Sequence, residues 1–111
     1  MGNIFHPGEF EQVVLLAILR LGEEAYGVSI RSEIALCTQR KISPGALYTT
    51  LDRLEKKGLL AARLGESTPE RGGRAKRFYK VTKEGCAVLA SAQRQFKQLL
   101  QGLDLLEENH G

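Results

Sequence analysis

Three helical stretches come first, then two short strands flanking a long basic loop, then a heptad-spaced last helix. That order predicts a mainly α (α+β) fold, a winged helix-turn-helix carrying one additional C-terminal helix. Two further observations agree with it. The 111 residues leave room for a single domain, and the basic residues crowd into the third helix and the loop. Residues 1–82 are expected to form the winged helix-turn-helix with its N-terminal helix. Residues 83–111 are expected to form a C-terminal dimerisation helix within the same compact unit.

Phe10, Val13, Val14, Ala17, Ile18 and Leu21 recur every three or four residues, which defines the apolar stripe of a first helix. Leu15, Leu16 and Leu19 add apolar surface elsewhere on it, so the helix should be covered on more than one side, in part by a partner subunit. Gly22 ends it. A second helix opens at Tyr26-Gly27, with Val28, Ile30, Ile34 and Leu36 at apolar positions and Arg31, Ser32 and Glu33 facing water. Lys41-Ile42-Ser43 reads as a short extended stretch, a short strand between the second and third helices. Ser43 is a natural N-cap and Pro44 a natural first residue for the third helix, which Gly58 closes. Leu60, Ala62 and Leu64 alternate with Ala61 and Arg63 as a strand, and Phe78–Val81 reads as its partner with Tyr79 and Val81 inward. Gly65–Ala75 between them is too long for a tight hairpin and should project as a flap. Thr82 caps the last helix.

Several function classes drop out. The longest apolar run, Val13–Leu19, is far short of the roughly 20 residues a membrane span needs, and it follows Glu9 and Glu11 rather than a basic stretch. The protein is expected to have no membrane contact and to reside in the cytoplasm. Cys37 and Cys86 stand apart, with no metal-ligand spacing, and no cofactor or metal is expected. His6 and His110 lie near the ends, poorly placed for general-base work, and no Walker A, HExxH or GxSxG pattern occurs. An enzyme is not expected.

The net charge of +3 conceals a division. Residues 40–83 carry twelve basic and four acidic groups, a local net of +8, whereas the remainder carries four basic and nine acidic groups, a net of −5. A third helix and flap at +8 suit a phosphate backbone, so double-stranded DNA is the expected partner. Placing Leu47, Leu51 and Leu54 on one face of the third helix leaves Gly45, Ala46, Thr49, Asp52, Arg53 and Lys56 on the other. Small residues near the helix start allow close approach to a groove floor, Thr49 suits a base edge, and Arg53 and Lys56 suit phosphates. For Arg53 and Lys56 the plainer alternative is a solvated helix face. Tyr48 at the flank suits either a phosphate contact or packing against the second helix. In the flap, Arg71, Arg74 and Lys76 flank Gly72-Gly73 and suit a minor groove or phosphates.

Leu89, Ala92, Phe96, Leu99, Leu103 and Leu106 follow a 3, 4, 3, 4, 3 spacing, an a/d seam. It serves either packing on the protein's own first helix or a homodimer built from the first and last helices, the reading favoured here.

Tyr26–Ile30 (YGVSI), Ile42–Leu59 (ISPGALYTTLDRLEKKGL) and Lys76–Gly85 (KRFYKVTKEG) together resemble the PadR family of bacterial transcriptional regulators. The family pattern is similar to Y-G-x-x-I, then I-S-x-G-[TA]-L-Y-x-x-L-x-R-L-E-x-x-G-L, then a basic wing ending K-x-Y-x-[LV]-T-x-x-G. Ala46 stands where the family usually has Thr, which removes a hydroxyl from the DNA-facing side. The single helix after the wing is similar to the short members. The resemblance implies a homodimeric repressor on an inverted-repeat operator, and the set expected to contact DNA is Ser43, Gly45, Ala46, Tyr48, Thr49, Arg53, Lys56, Arg71, Arg74 and Lys76. It also implies an apolar or aromatic effector at the dimer interface. Some short relatives use an interfacial Trp there, and this chain has none. Phe10, Val14, Phe96 and Leu100 are the candidates for such a pocket, unless they are simply core. Two rivals stand beside this reading: a drug- or phenolic-binding sensor with a secondary DNA role, and a protein–protein adaptor that kept the fold.

Overall fold

The computed structural model describes residues 5–65 and 75–106. Helix α1 spans Glu9–Leu21 and is followed by a 3-10 turn, Gly22–Glu24; α2 spans Gly27–Thr38 and α3 Pro44–Lys56. Strands β1 (Leu60–Leu64) and β2 (Arg77–Val81) pair antiparallel, with Leu60 opposite Val81, Ala62 opposite Tyr79 and Leu64 opposite Arg77. Helix α4 covers Lys83–Leu100. This is the winged helix-turn-helix that the order of elements predicts.

The helix ends follow their local chemistry. The Glu11 carboxylate accepts from the Gly8 N–H at 2.8 Å and closes the start of α1. Ser43 Oγ accepts from the Ala46 N–H at 3.1 Å, with Pro44 in the first turn of α3 where no N–H is needed. Gly58 at φ 79° turns the chain out of α3, and Leu59 N–H donates back to the Leu54 carbonyl at 2.9 Å. Thr82 Oγ1 accepts from Gly85 N–H at 3.0 Å and donates to the Gly58 carbonyl at 2.7 Å, so one hydroxyl caps α4 and ties it to the end of α3. Gly85 permits that junction: a Cβ there would lie 2.4 Å from the Leu59 carbonyl oxygen.

The core lies where α1, α2, α3 and the base of the sheet meet. Val14, Leu15 and Ile18 of α1, Ile30 and Ile34 of α2, and Leu47, Leu51 and Leu54 of α3 are all essentially solvent-free, with Tyr79, Val81 and Leu89 completing it. The Tyr79 phenol is pushed above its usual range, chiefly by burial, with the Arg77 guanidinium opposing the shift.

Four expectations need correction. Lys41-Ile42-Ser43 forms no strand; its Ile42 carbonyl instead accepts from Arg31 Nε at 3.0 Å. The outer edge of β2 is taken by the end of the 3-10 segment: Tyr79 N–H donates to the Ala25 carbonyl at 2.8 Å, and Tyr26 bridges Phe78. On α2, Val28 and Leu36 are exposed rather than inward, because each lies two residues, about 200°, from the buried Ile30 or Ile34. On α1, Leu15 is fully buried by the protein's own elements, so only Leu16 and Leu19 remain as uncovered large apolar residues on that helix. The α4 seam is shorter than its spacing implies. The helix ends at Leu100, and Gly102 adopts φ 81°, so Leu103 and Leu106 lie beyond it on exposed chain. Of the seam positions that α4 carries, Leu89 is buried in the chain's own core, Ala92 is half-buried, and Phe96 and Leu99 are exposed.

Candidate nucleic-acid interface

Helix α3 has two unlike faces. Leu47, Leu51 and Leu54, joined by the buried Thr50, seat it on the core. Gly45, Ala46, Tyr48, Thr49, Asp52, Arg53 and Lys56 are exposed. Thr49, Asp52, Arg53, Lys56 and Lys57 line an open depression of about 360 Å³ along that outer face. Ser43 is exposed as well, its oxygen already accepting from the Ala46 N–H.

The cations of this face are anchored rather than loose. Arg53 Nη1 stands 3.7 Å from Glu11 Oε2, and Lys56 Nζ stands 3.1 Å from Asp52 Oδ2. Arg77 Nη2 donates to both Glu55 oxygens, at 3.0 and 3.1 Å, which ties β2 to α3 and holds the guanidinium pKa above its usual value. Arg40 is paired with Glu9 at 2.9 Å, and Arg63 makes a longer contact with Glu23 at 3.4 Å while lying over the Phe78 ring. These contacts correct the division by sequence into a +8 stretch and a −5 remainder. Glu9, Glu11 and Glu23 belong to the acidic remainder, yet folding sets each against a cation of the basic stretch. Arg53 and Arg40 still present 52% and 41% of their side chains to solvent. Such surface pairs are worth only about 0–1 kcal/mol, so an incoming phosphate can displace them.

Tyr48 packs against α2: a Cβ placed on Gly27 would fall 1.9 Å from the Tyr48 hydroxyl oxygen. The glycine of the Tyr26-Gly27 motif therefore makes room for the tyrosine of the Leu47-Tyr48 motif, whose side chain remains half exposed. Tyr48 thus makes the contact with the second helix that was considered for it. Lys76, at the base of the wing, holds its ammonium 3.9 Å from the centre of the Tyr26 ring, a cation–π contact. Tyr26 in turn meets Phe78 edge-to-face at 5.5 Å. Arg71 and Arg74 lie outside the described residues.

The four residues considered for an effector pocket do not converge. Val14 is fully buried, and Phe10 packs on the core beneath the Arg40 guanidinium, 5.8 Å from its ring centre. Phe96 lines a groove with His6, Pro7, Gln12, Ala92 and Leu99, whereas Leu100 is not part of it. Cys37 and Cys86 are free and exposed, and among the described residues no cluster of His, Cys, Asp or Glu is arranged to hold a metal ion. Among those residues, too, no helix is long and apolar enough to cross a membrane.

Sequence reasoning missed Glu9 and Glu11, which were noted only as acids preceding an apolar run. The signal was present in part, since Glu11 sits three residues after Gly8 as a helix-capping acid.

An outward-facing helix on a three-helix core, beside a two-stranded wing, defines a winged-helix protein of the regulator type. The profile of the Transcriptional regulator PadR-like family matches residues 15–91, and the chain belongs to that family, one of transcriptional regulators rather than enzymes. It is 37% identical over 76 residues to "Transcriptional regulator Rv3488" of Mycobacterium tuberculosis, a match spanning 68% of this chain and 66% of that protein. Among solved structures it is similar to a PadR family transcriptional regulator from Eggerthella lenta, at 31% identity and a TM-score of 0.66, covering 91% of this chain and 88% of that one. A PadR-like transcription factor from Bacteroides fragilis superimposes with a TM-score of 0.67 at 28% identity, over 81% of this chain and 82% of the other.

Proposed function

We propose that this chain is a cytoplasmic repressor that binds an inverted-repeat operator in double-stranded DNA as a homodimer. Helix α3 enters the major groove, and the wing reaches the flanking backbone or minor groove. The observation that carries the reading is the outer face of α3, where Thr49, Arg53 and Lys56 stand exposed on the side away from three fully buried leucines. Thr49 and the small residues Gly45 and Ala46 suit base edges, and Arg53 and Lys56 suit phosphates. Tyr48 orients the start of the helix from the α2 side. A footprint on the DNA upstream of the chain's own gene should show two protected stretches about one helical turn, roughly 34 Å, apart. A single protected stretch, or none, contradicts the dimeric reading of the operator.

Uncovered apolar surface supports the dimer. Phe96, Leu99 and Leu100 on α4 are large and exposed, as are Leu16 and Leu19 elsewhere on α1, and uncovered apolar surface of this kind marks an interface. Phe96→Glu is expected to convert the dimer to a monomer in sedimentation velocity. A variant that still sediments as a dimer removes the role of α4. A small apolar or aromatic effector would act at that interface, with Phe96 and Leu100 as the members of the original set still exposed to meet it.

A further inference from the structure

Two carboxylates at the start of α1 are set against the two arginines that flank the N- and C-terminal parts of the α3 surface. Glu9 Oε2 accepts from Arg40 Nη1 at 2.9 Å, across 31 residues of chain. Glu11 uses both of its oxygens: Oε1 accepts from Gly8 N–H at 2.8 Å, and Oε2 faces Arg53 Nη1 at 3.7 Å. Its side chain is only 13% exposed, so its position is fixed by the helix it caps, whereas Arg53 is half exposed. A guanidinium carries five N–H donors, so one carboxylate leaves most of each arginine's capacity unused. Of the acids that pair with cations on this side, Asp52 and Glu55 belong to α3 itself and move with it. Glu9 and Glu11 come from another helix, the one that also carries the uncovered Leu16 and Leu19.

We propose that Glu9 and Glu11 are affinity-setting residues that occupy Arg40 and Arg53 as internal substitutes for DNA phosphates. This rests on the DNA-binding reading above. When a phosphate takes Arg53, the Glu11 carboxylate stays nearby, held by its bond to Gly8, and repels the backbone. Glu9, whose side chain is 71% exposed, competes with phosphate for Arg40 without that tether. The pair therefore lowers affinity for every duplex alike and lowers the number of counterions released on binding, since an arginine already neutralised by the protein frees fewer of them.

The test is fluorescence anisotropy of the full chain with a labelled random-sequence duplex of about 30 base pairs, titrated across a series of salt concentrations. Glutamine is chosen because its carbonyl oxygen can still accept from Gly8 N–H. Glu11→Gln is expected to tighten binding about threefold, and Glu9→Gln with Glu11→Gln about tenfold, with the salt slope steeper by about one to two. In an Arg53→Gln background the gain from Glu11→Gln should vanish, which a purely structural role of Glu11 does not require. Unchanged or weakened binding by Glu11→Gln, or a gain that persists without Arg53, overturns the proposal while the unsubstituted chain still binds in a salt-dependent way. Absence of salt-dependent binding by the unsubstituted chain instead removes the DNA interface itself, and this proposal with it.

Discussion

Leu51→Ala is expected to destabilise the protein by about 3 kcal/mol, within the 2–5 kcal/mol range for truncating a fully buried leucine. Leu51 is solvent-free and stands between Leu47 and Leu54, which are also solvent-free, on the face of α3 that meets α1, α2 and β1. The better helix propensity of alanine returns only a few tenths of a kcal/mol. Removing three heavy atoms leaves a void that backbone on three sides has little freedom to fill. Against a total stability of about 5–15 kcal/mol, this is a large fraction. Urea unfolding should show a lower midpoint with an unchanged slope. A loss below about 1 kcal/mol would mean that α3 is not docked on this face, and the surface opposite it would lose its orientation.

How much of this was legible in the sequence depends on the kind of signal. Caps were the most readable, because Ser43-Pro44 and Thr82 act through local geometry: each hydroxyl accepts from the N–H three residues on, as its position requires. The buried face of α3 and the inward Tyr79 and Val81 followed from periodicity alone. Periodicity misled where it continued past a backbone change. Leu103 and Leu106 keep the heptad spacing, yet the left-handed Gly102 ends the regular rotation that would align them with Leu99. It also misled on α2, where Val28 and Leu36 are apolar without facing the core.

The interface was legible by residue type but not by arrangement. Thr49, Arg53 and Lys56 stand exposed on one face, as their spacing requires. What no local pattern reveals is contact across the chain: Glu11 with Arg53, Glu9 with Arg40, Gly27 with Tyr48, and Ala25 with the edge of β2. The summed charge of a stretch likewise says little about the field at its surface once acids from elsewhere fold onto it. The +8 of residues 40–83 is partly answered in space by Glu9, Glu11 and Glu23.

The joint substitution Arg53→Ala and Lys56→Ala bears on the central claim most directly, because both side chains lie on the exposed face of α3 and neither belongs to the core. Arg53 reaches across to Glu11 and Lys56 to Asp52 on the same helix, contacts of about 0–1 kcal/mol each, so the fold should survive their loss. A charge-assisted hydrogen bond to phosphate is worth about 1.5–3 kcal/mol, so the loss of both should weaken binding by at least about 150-fold at low salt. Non-specific and operator DNA should suffer alike, because phosphates carry no sequence. The measurement is the slope of log K against log salt concentration for the unsubstituted chain and the double variant, on one duplex. The slope of the variant is expected to be shallower by about one to two, near 0.9 for a full phosphate contact and less for Arg53, which Glu11 already neutralises in part. Equal affinities and parallel slopes would show that α3 does not face the DNA backbone.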